Sequence, residues 1–424
     1  MPDTTLDDQP LGLALRPSWR QSIVIRALEG MNQGYLQMTL PDGEVRTWGT
    51  PDAEVKASLH IRRPEFFEKC LLYGDIGFGE SYVDGDWDTD NLKNLIAWMI
   101  LNVENNPSMS GSRRTFSWVN LLKSANRAYH WLRSNSRNGS RHNISAHYDL
   151  SNEFFSLFLD KTMTYSSAYF DTPESSLIEA QIRKYDRLCR KLNLQPTDHV
   201  LEIGSGWGGF AVHAARTYGC KITGITISEK QLAYAQQRVR ENGLEGQIDI
   251  QFKDYRDVTG SFDKIVSIEM LEAVGHNYFP AYFAKCQELL KPQGILALQV
   301  ITCPDHRYDT LRTGVDWIQK HIFPGSLLPS VGTIHQAINR TGDLVLNHLE
   351  DISTHYVKTL AHWREDFNRQ WEKVRALGFD ESFQRKWNYY LSYSEAAFAM
   401  RNISVLQMVY TRPNNRTLNG RSLP

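Results

Sequence analysis

Cysteine is scarce in this 424-residue sequence and never paired: Cys70, Cys189, Cys220, Cys286 and Cys303 are widely spaced, with no C-x-x-C among them. That spacing supports neither a disulfide framework nor a zinc site, so no metal ligands are expected and a reducing compartment fits best. Excess charge is missing too. The 47 Lys and Arg against 48 Asp and Glu leave a net charge of -1, which excludes capture of nucleic acid or anionic lipid by the chain as a whole. There is no long apolar run: the most apolar stretch, around 92–101, is too short and too interrupted to span a bilayer. Residues 1–10 are acidic with no apolar core, unlike a secretory signal, so a cytoplasmic protein is expected. What is present is a globular composition, 41% hydrophobic, 22% charged and 11% aromatic, over a length that predicts two or three domains.

Three regions separate by composition. In residues 1–104, the alternating run Gly34-Tyr-Leu-Gln-Met-Thr-Leu40 ahead of Pro41-Asp-Gly43 reads as a strand and its turn. Residues 55–61 read as a second strand, 64–73 as a helix, and Gly74–Gly79 and Asp84–Asp88 as turns. A small α+β accessory domain is the expectation. Residues 105–146 form a linker or docking segment. Asn105 to Tyr148 holds no acid but has Arg113, Arg114, Lys123, Arg127, Arg133, Arg137 and Arg141, interleaved with Phe116, Trp118, Tyr129 and Trp131. Residues 116–132 could form an amphipathic helix. The segment is either a solvated connector or a patch for an anionic membrane surface.

From residue 147 to 424, strand and helix signals alternate, the pattern of a doubly wound, Rossmann-like α/β domain. Strands are expected at 199–203, 221–227, 247–252, 263–268 and 294–302, with helices at 209–218, 229–241 and 278–290. After about Cys303 the chain reads as a Trp-rich, mostly helical cap closed by a strand at 403–411. Between the first strand and helix lies Glu202-Ile-Gly204-Ser-Gly206-Trp-Gly208-Gly209, where glycines let the backbone turn sharply beside a ligand at the sheet's carboxyl edge. No Gly-Lys-Ser/Thr is present, and Gly224-Ile-Thr-Ile-Ser228 ends the second strand without the acid that a dinucleotide fold carries there. Glu202, just before the loop, suits S-adenosylmethionine better, although the loop alone leaves a dinucleotide enzyme open.

Several blocks together resemble the cyclopropane-fatty-acyl-phospholipid synthase family, which includes the mycolic acid cyclopropane synthases. They are His147-Tyr-Asp-Leu150, Met163–Tyr169, Val200–Gly209, Gly224–Ser228 with Gln231, Asp254-Tyr-Arg-Asp257, Glu269-Met-Leu-Glu-Ala-Val-Gly275, His321-Ile-Phe-Pro324 and Tyr389-Tyr390. The resemblance implies a class I methyltransferase that adds a carbon from S-adenosylmethionine to the cis double bond of phospholipid acyl chains. It further implies that Tyr165 and Ser166 flank the methionine end of the cofactor, with Glu202, Gly204 and Gly206 at the loop. Thr226 and Gln231 would hold the ribose, and Tyr255 and Arg256 the adenine. Hydroxyl and amide groups can pair with ribose hydroxyls without a carboxylate, and Tyr255 offers a flat face.

An alkene attacked by a sulfonium methyl becomes a carbocation, so the site must exclude water, stabilise the cation and hold a base. His147, Tyr148, Tyr165, Tyr169, Phe170 and Tyr356 are candidates for its lining. In the family the base is taken to be bicarbonate, and the matching positions are Ser167, Glu272, Gln299, Ile301 and Tyr356. Ser167 and Ile301 would contribute backbone groups and Glu272 the catalytic carboxyl, with Tyr356 as a hydrogen-bond donor. Two positions depart from the family: Ser167 replaces a usual Cys, and Gln299 replaces a usual His. An amide orients an anion without neutralising it. Weaker anion binding is therefore expected, with cyclopropane chains as the product and methylene- or methyl-branched chains as the outcome if the cation is quenched differently. The resemblance also implies a peripheral enzyme on the inner face of the cell membrane, preferring anionic lipid, and a possible homodimer. A small-molecule methyltransferase, like the plant alkaloid N-methylating enzymes, and a non-catalytic lipid-binding protein are the alternatives.

Overall fold

The computed structural model describes residues 19–103 and 150–418. The basic segment 105–146, with His147 and Tyr148, lies outside the described residues. Two sheets organise the rest. The first has the order β2-β1-β3-β4, from β1 (Tyr35–Thr39), β2 (Val45–Gly49), β3 (Lys56–Ile61) and β4 (Trp87–Asp88). Strands β1 and β2 form an antiparallel hairpin, and β3 lies parallel to β1. The expected turn at Gly74–Gly79 is instead the start of a helix, Asp75–Val83. Its glycines permit close packing: a Cβ on Gly79 would stand 2.5 Å from the Trp317 ring, and one on Gly77 would stand 2.0 Å from the Lys69 carbonyl oxygen.

The second sheet has seven strands in the order β10-β11-β9-β8-β5-β6-β7. Strands β5 (His199–Ile203), β6 (Lys221–Thr226), β7 (Ile248–Phe252), β8 (Phe262–Ile268) and β9 (Leu290–Thr302) run parallel. β11 (Ser404–Thr411) returns antiparallel to β9, and β10 (Val345–Asp351) pairs antiparallel with β11. Chain order reverses between β5 and β8, which is where an open α/β sheet forms its ligand crevice. Strand β10 was not anticipated within the helical cap. It lies at the sheet edge with Val345, Leu346 and Leu349 exposed, so it lacks the buried apolar face that a strand signal needs.

The helix Leu177–Lys191 starts where Ser176 and Glu179 form a capping box. It buries Leu177, Ala180, Gln181, Lys184, Leu188 and Lys191 against the sheet, so two lysines sit on its inner stripe. The long helices Ser353–Arg369 and Glu381–Ala399 pack on each other, and the helix Leu92–Val103 packs on the latter. One apolar cluster runs through both sheets' surroundings, joining Trp87 and Trp98 to Phe154, Trp363 and Trp387. Arg385 clasps the first sheet, donating to the Tyr82 and Trp87 carbonyls at 2.6 and 2.8 Å and to Asp88 at 3.0 Å. Among the described residues no helix is long and apolar enough to cross a membrane, and no group of three or more His, Cys, Asp or Glu could hold a metal ion.

Candidate active site

A cavity of about 380 Å³ opens at the carboxyl ends of β5 and β6 and runs beneath the helical cap. At one end lies the turn after β5. Gly204, Gly206 and Gly208 have φ of 89°, 52° and 81°, and the Gly204 and Ser205 amides donate to the Ile225 carbonyl at 3.0 and 2.9 Å. A Cβ on Gly206 would meet nothing within 4 Å, so its left-handed backbone, not crowding, calls for glycine. Thr226 closes β6 and donates its hydroxyl to Gln231 at 2.9 Å, and Ser228 caps the helix that carries Gln231. Asp254 holds Arg256 through two hydrogen bonds of 2.8 and 2.6 Å. The Tyr255 ring rests edge-on against Tyr282 at 5.2 Å. All nine expected cofactor residues line this cavity: Tyr165, Ser166, Glu202, Gly204, Gly206, Thr226, Gln231, Tyr255 and Arg256.

Glu202 Oε2 is buried without a hydrogen-bond partner among the described residues. Burial pushes the carboxyl well above its usual range, against the opposing pull of Lys184 and Ser205. An unfilled acceptor beside an open glycine turn fits a polar, nucleoside-bearing ligand such as S-adenosylmethionine. Lys184, which sequence reasoning missed, is fully buried and donates to the Ser166 hydroxyl at 2.7 Å. Burial lowers its pKa to about 8, opposed by Glu269, Asp160 and Glu202.

At the reacting end the five expected anion-binding residues divide. Glu272, Ile301 and Tyr356 line the cavity, whereas Ser167 and Gln299 lie behind its wall, almost wholly buried. What stands between is Glu269, to which the family pattern gave no role. Its Oε1 accepts from the Ser167 amide and from Gln299 Nε2, both at 2.8 Å, and its Oε2 accepts from the Tyr356 hydroxyl at 2.8 Å. Burial raises the pKa of this carboxyl, and those three donors together with Lys184 oppose the rise. Glu269 also has a φ of 49°, a left-handed conformation uncommon outside glycine, which aims its side chain from the end of β8.

The donors expected to cradle bicarbonate therefore already cradle a carboxylate of the chain itself. A separate anion does not fit: it would share a buried wall with two carboxyl groups and find these donors engaged. Glu272 takes a different part. Its Oε1 accepts from the Ile301 amide at 2.5 Å, and Oε2 is buried without a partner. Burial, with Glu269 beside it, raises its pKa to about 8, so it is the neutral member of the pair at pH 7.

The aromatic lining also differs in part from expectation. Tyr165 and Tyr356 face the cavity, joined by Tyr390 and Phe398. Tyr165 and Tyr390 share a hydrogen bond of 2.8 Å between their hydroxyls. Tyr169 and Phe170 do not reach it. Tyr169 stacks on His355 at 4.1 Å, and Phe170 lies parallel to His355 and His362.

The parallel sheet, the glycine turn at the switch point and the cavity joining that turn to a buried carboxylate define a class I, S-adenosylmethionine-dependent methyltransferase. The family model of mycolic acid cyclopropane synthetase matches residues 135–408, and the chain belongs to that family. It is 38% identical over 396 residues to the tuberculostearic acid methyltransferase UfaA1 of Mycobacterium tuberculosis, covering 89% of this chain and 88% of that one. It is 34% identical over 361 residues to the cyclopropane-fatty-acyl-phospholipid synthase of Escherichia coli, covering 84% and 88%. Its fold is similar to that of the mycolic acid cyclopropane synthase CmaA1 complexed with SAH and CTAB, with a TM-score of 0.59 and 31% identity over 64% of this chain and 98% of that one.

Proposed function

We propose that the protein methylates the cis double bond of fatty acyl chains of membrane phospholipids and yields a methylene-branched chain, later reducible to a methyl branch, in preference to a cyclopropane ring. The observation that carries this reading is Glu269, a carboxylate held by three donors in the wall of an aromatic cavity. Glu202, Gly204, Gly206, Thr226, Gln231, Tyr255 and Arg256 would hold S-adenosylmethionine. When bound, it supplies an electrophilic methyl carbon to the alkene.

The chain's own residues then govern the cation left on the acyl chain. Tyr165, Tyr356, Tyr390 and Phe398 line the cavity, where they would exclude water and offer ring faces to the positive charge. Glu269 Oε2 takes the departing proton. Because this carboxylate is tethered by its own side chain and by Ser167, Gln299 and Tyr356, it cannot follow the new methyl group as a loose ion could. A cation that is not quenched at once moves by hydride shift to the carbon bearing the methyl group. Proton loss from that methyl then leaves a methylene branch, C=CH2, on the chain. The name of the 38%-identical relative, a tuberculostearic acid methyltransferase, supports the branched outcome, and the acid-free residues 105–148 support docking at an anionic membrane surface.

The test is incubation of the purified protein with methyl-labelled S-adenosylmethionine and vesicles of oleoyl phospholipid, with and without anionic lipid. Ring and branch are isomers, so the products are distinguished by NMR. Signals of a =CH2 branch, with faster transfer on anionic vesicles at low salt, are expected. Ring methylene signals alone would refute the branched outcome, and absence of label in the acyl chains would refute acyl methylation.

A further inference from the structure

A row of polar side chains crosses the interior of the large sheet. Glu350 on β10 stands opposite Gln407 on β11, and Gln407 stands opposite Gln299 on β9. Sheet interiors are normally apolar, and Gln299 and Gln407 are 1% and 0% exposed. The side chains are joined end to end. Lys191, at the end of the helix Leu177–Lys191 and itself 0% exposed, donates to Gln407 Oε1 at 2.7 Å and to Glu350. Gln407 Nε2 donates to Gln299 Oε1 at 2.9 Å. Gln299 Nε2 donates to Glu269 Oε1 at 2.8 Å and to the Ser167 carbonyl at 3.2 Å.

An amide can face either way, but an ammonium group can only donate. With Lys191 at one end, Gln407 must offer its oxygen there and its N–H₂ to Gln299. Gln299 must then offer its oxygen to Gln407 and its own N–H₂ to Glu269. Were the row reversed, a carbonyl lone pair would face the Glu269 carboxylate. We propose that Lys191, acting through Gln407, is a positioning residue that sets the direction of the Gln299 amide and so supplies Glu269 with an N–H donor. The inference rests on the proposed role of Glu269 as the proton acceptor.

Other charges bear on the two ends of the row. Glu269 faces Lys184 from the helix Leu177–Lys191, Glu272 from its own turn and Tyr356 from the helix Ser353–Arg369. Lys191 faces Glu350 and His348 from β10 and Arg187 from its own helix. Arg187 also donates to Glu350 at 2.6 Å, so Glu350 keeps a cationic partner when Lys191 is replaced.

Two substitutions reverse or release the row. Gln407→Glu keeps an acceptor for Lys191 but cannot donate to Gln299, and Lys191→Met removes the donor while keeping the stem. Because Glu269 acts as carboxylate, losing its N–H partner raises its pKa. Each variant is thus expected to move the acidic limb of the kcat–pH profile upward by about one pH unit, with KM for S-adenosylmethionine changed by less than about two-fold. Lys191→Arg, which can still only donate, keeps the limb in place. In the wild-type protein, NMR should show slow exchange for the side-chain amide protons of Gln299 and Gln407, a readout that needs no variant to fold. An unmoved acidic limb in either folded variant, or fast exchange of either amide, overturns the proposal. A wild-type protein that labels no acyl chain overturns the reading of the site itself, a separate failure.

Discussion

The two ends of the cavity are built in different ways. The end expected to hold the cofactor draws seven of its nine residues from the ends of neighbouring parallel strands: Glu202 to Gly206 from the end of β5, Thr226 to Gln231 from the end of β6, and Asp254 to Arg256 after β7. Each piece is a local turn whose residue types carry its function. The reacting end gathers Ser167 from a loop, Glu269 from the end of β8, Gln299 from β9, Tyr356 from a cap helix and, two layers back, Gln407 and Lys191. Such a site exists only once the whole sheet is assembled, so no local motif marks the carboxylate that its donors converge on.

The sharpest way to separate the two ends is Glu269→Gln. It removes the proton acceptor and leaves the glycine turn untouched, so methyl transfer is expected to fall by about 10²- to 10⁴-fold. The dissociation constant of S-adenosylmethionine, read by calorimetry, should barely change, and a matching loss of binding would show the ends to be one unit. Gly206→Val probes the other side. A β-branched residue at φ 52° costs roughly 1–2 kcal/mol, so cofactor affinity should weaken about ten-fold while kcat at saturation is largely kept. A kcat loss at saturating cofactor would contradict that division.

The smallest effect concerns pH. Glu272 titrates at about 8, so it is neutral below that value and a second buried carboxylate appears beside Glu269 above it. The rate should decline as pH rises through about 8, and Glu272→Gln should flatten that alkaline limb. A limb that persists in the variant would assign it to another group, with Lys184, also near 8, the next to replace.

Legibility from sequence follows the same division. The nine residues expected to hold the cofactor line the cavity, and seven of them fall at strand ends and the turns that follow, where the local residue types mark them; Tyr165 and Ser166 come from a loop ahead of the helix Leu177–Lys191. Glu269 was within a recognised block yet passed over, since nothing in its neighbours shows that Tyr356, 87 positions away, would donate to it. A signal for the buried lysines did exist: Lys184 and Lys191 fall on the same helical stripe as Leu177, Ala180 and Leu188. A charge at such a spacing is unusual enough to mark a buried partner. The edge strand β10 gave no comparable sign, because its apolar residues face outward.

The clasp made by Arg385 and the cluster uniting Trp87 and Trp98 with Trp363 and Trp387 make the first hundred residues more than an appendage. CmaA1 aligns with only 64% of this chain, so a fold of this kind can stand without the remainder. Here, cutting that remainder away would strip the face of the helix Glu381–Ala399 that packs on the helices Asp75–Val83 and Leu92–Val103, and wet Tyr389, which lies against Tyr82. The protein should therefore melt in a single calorimetric transition, the accessory sheet and the catalytic domain unfolding together.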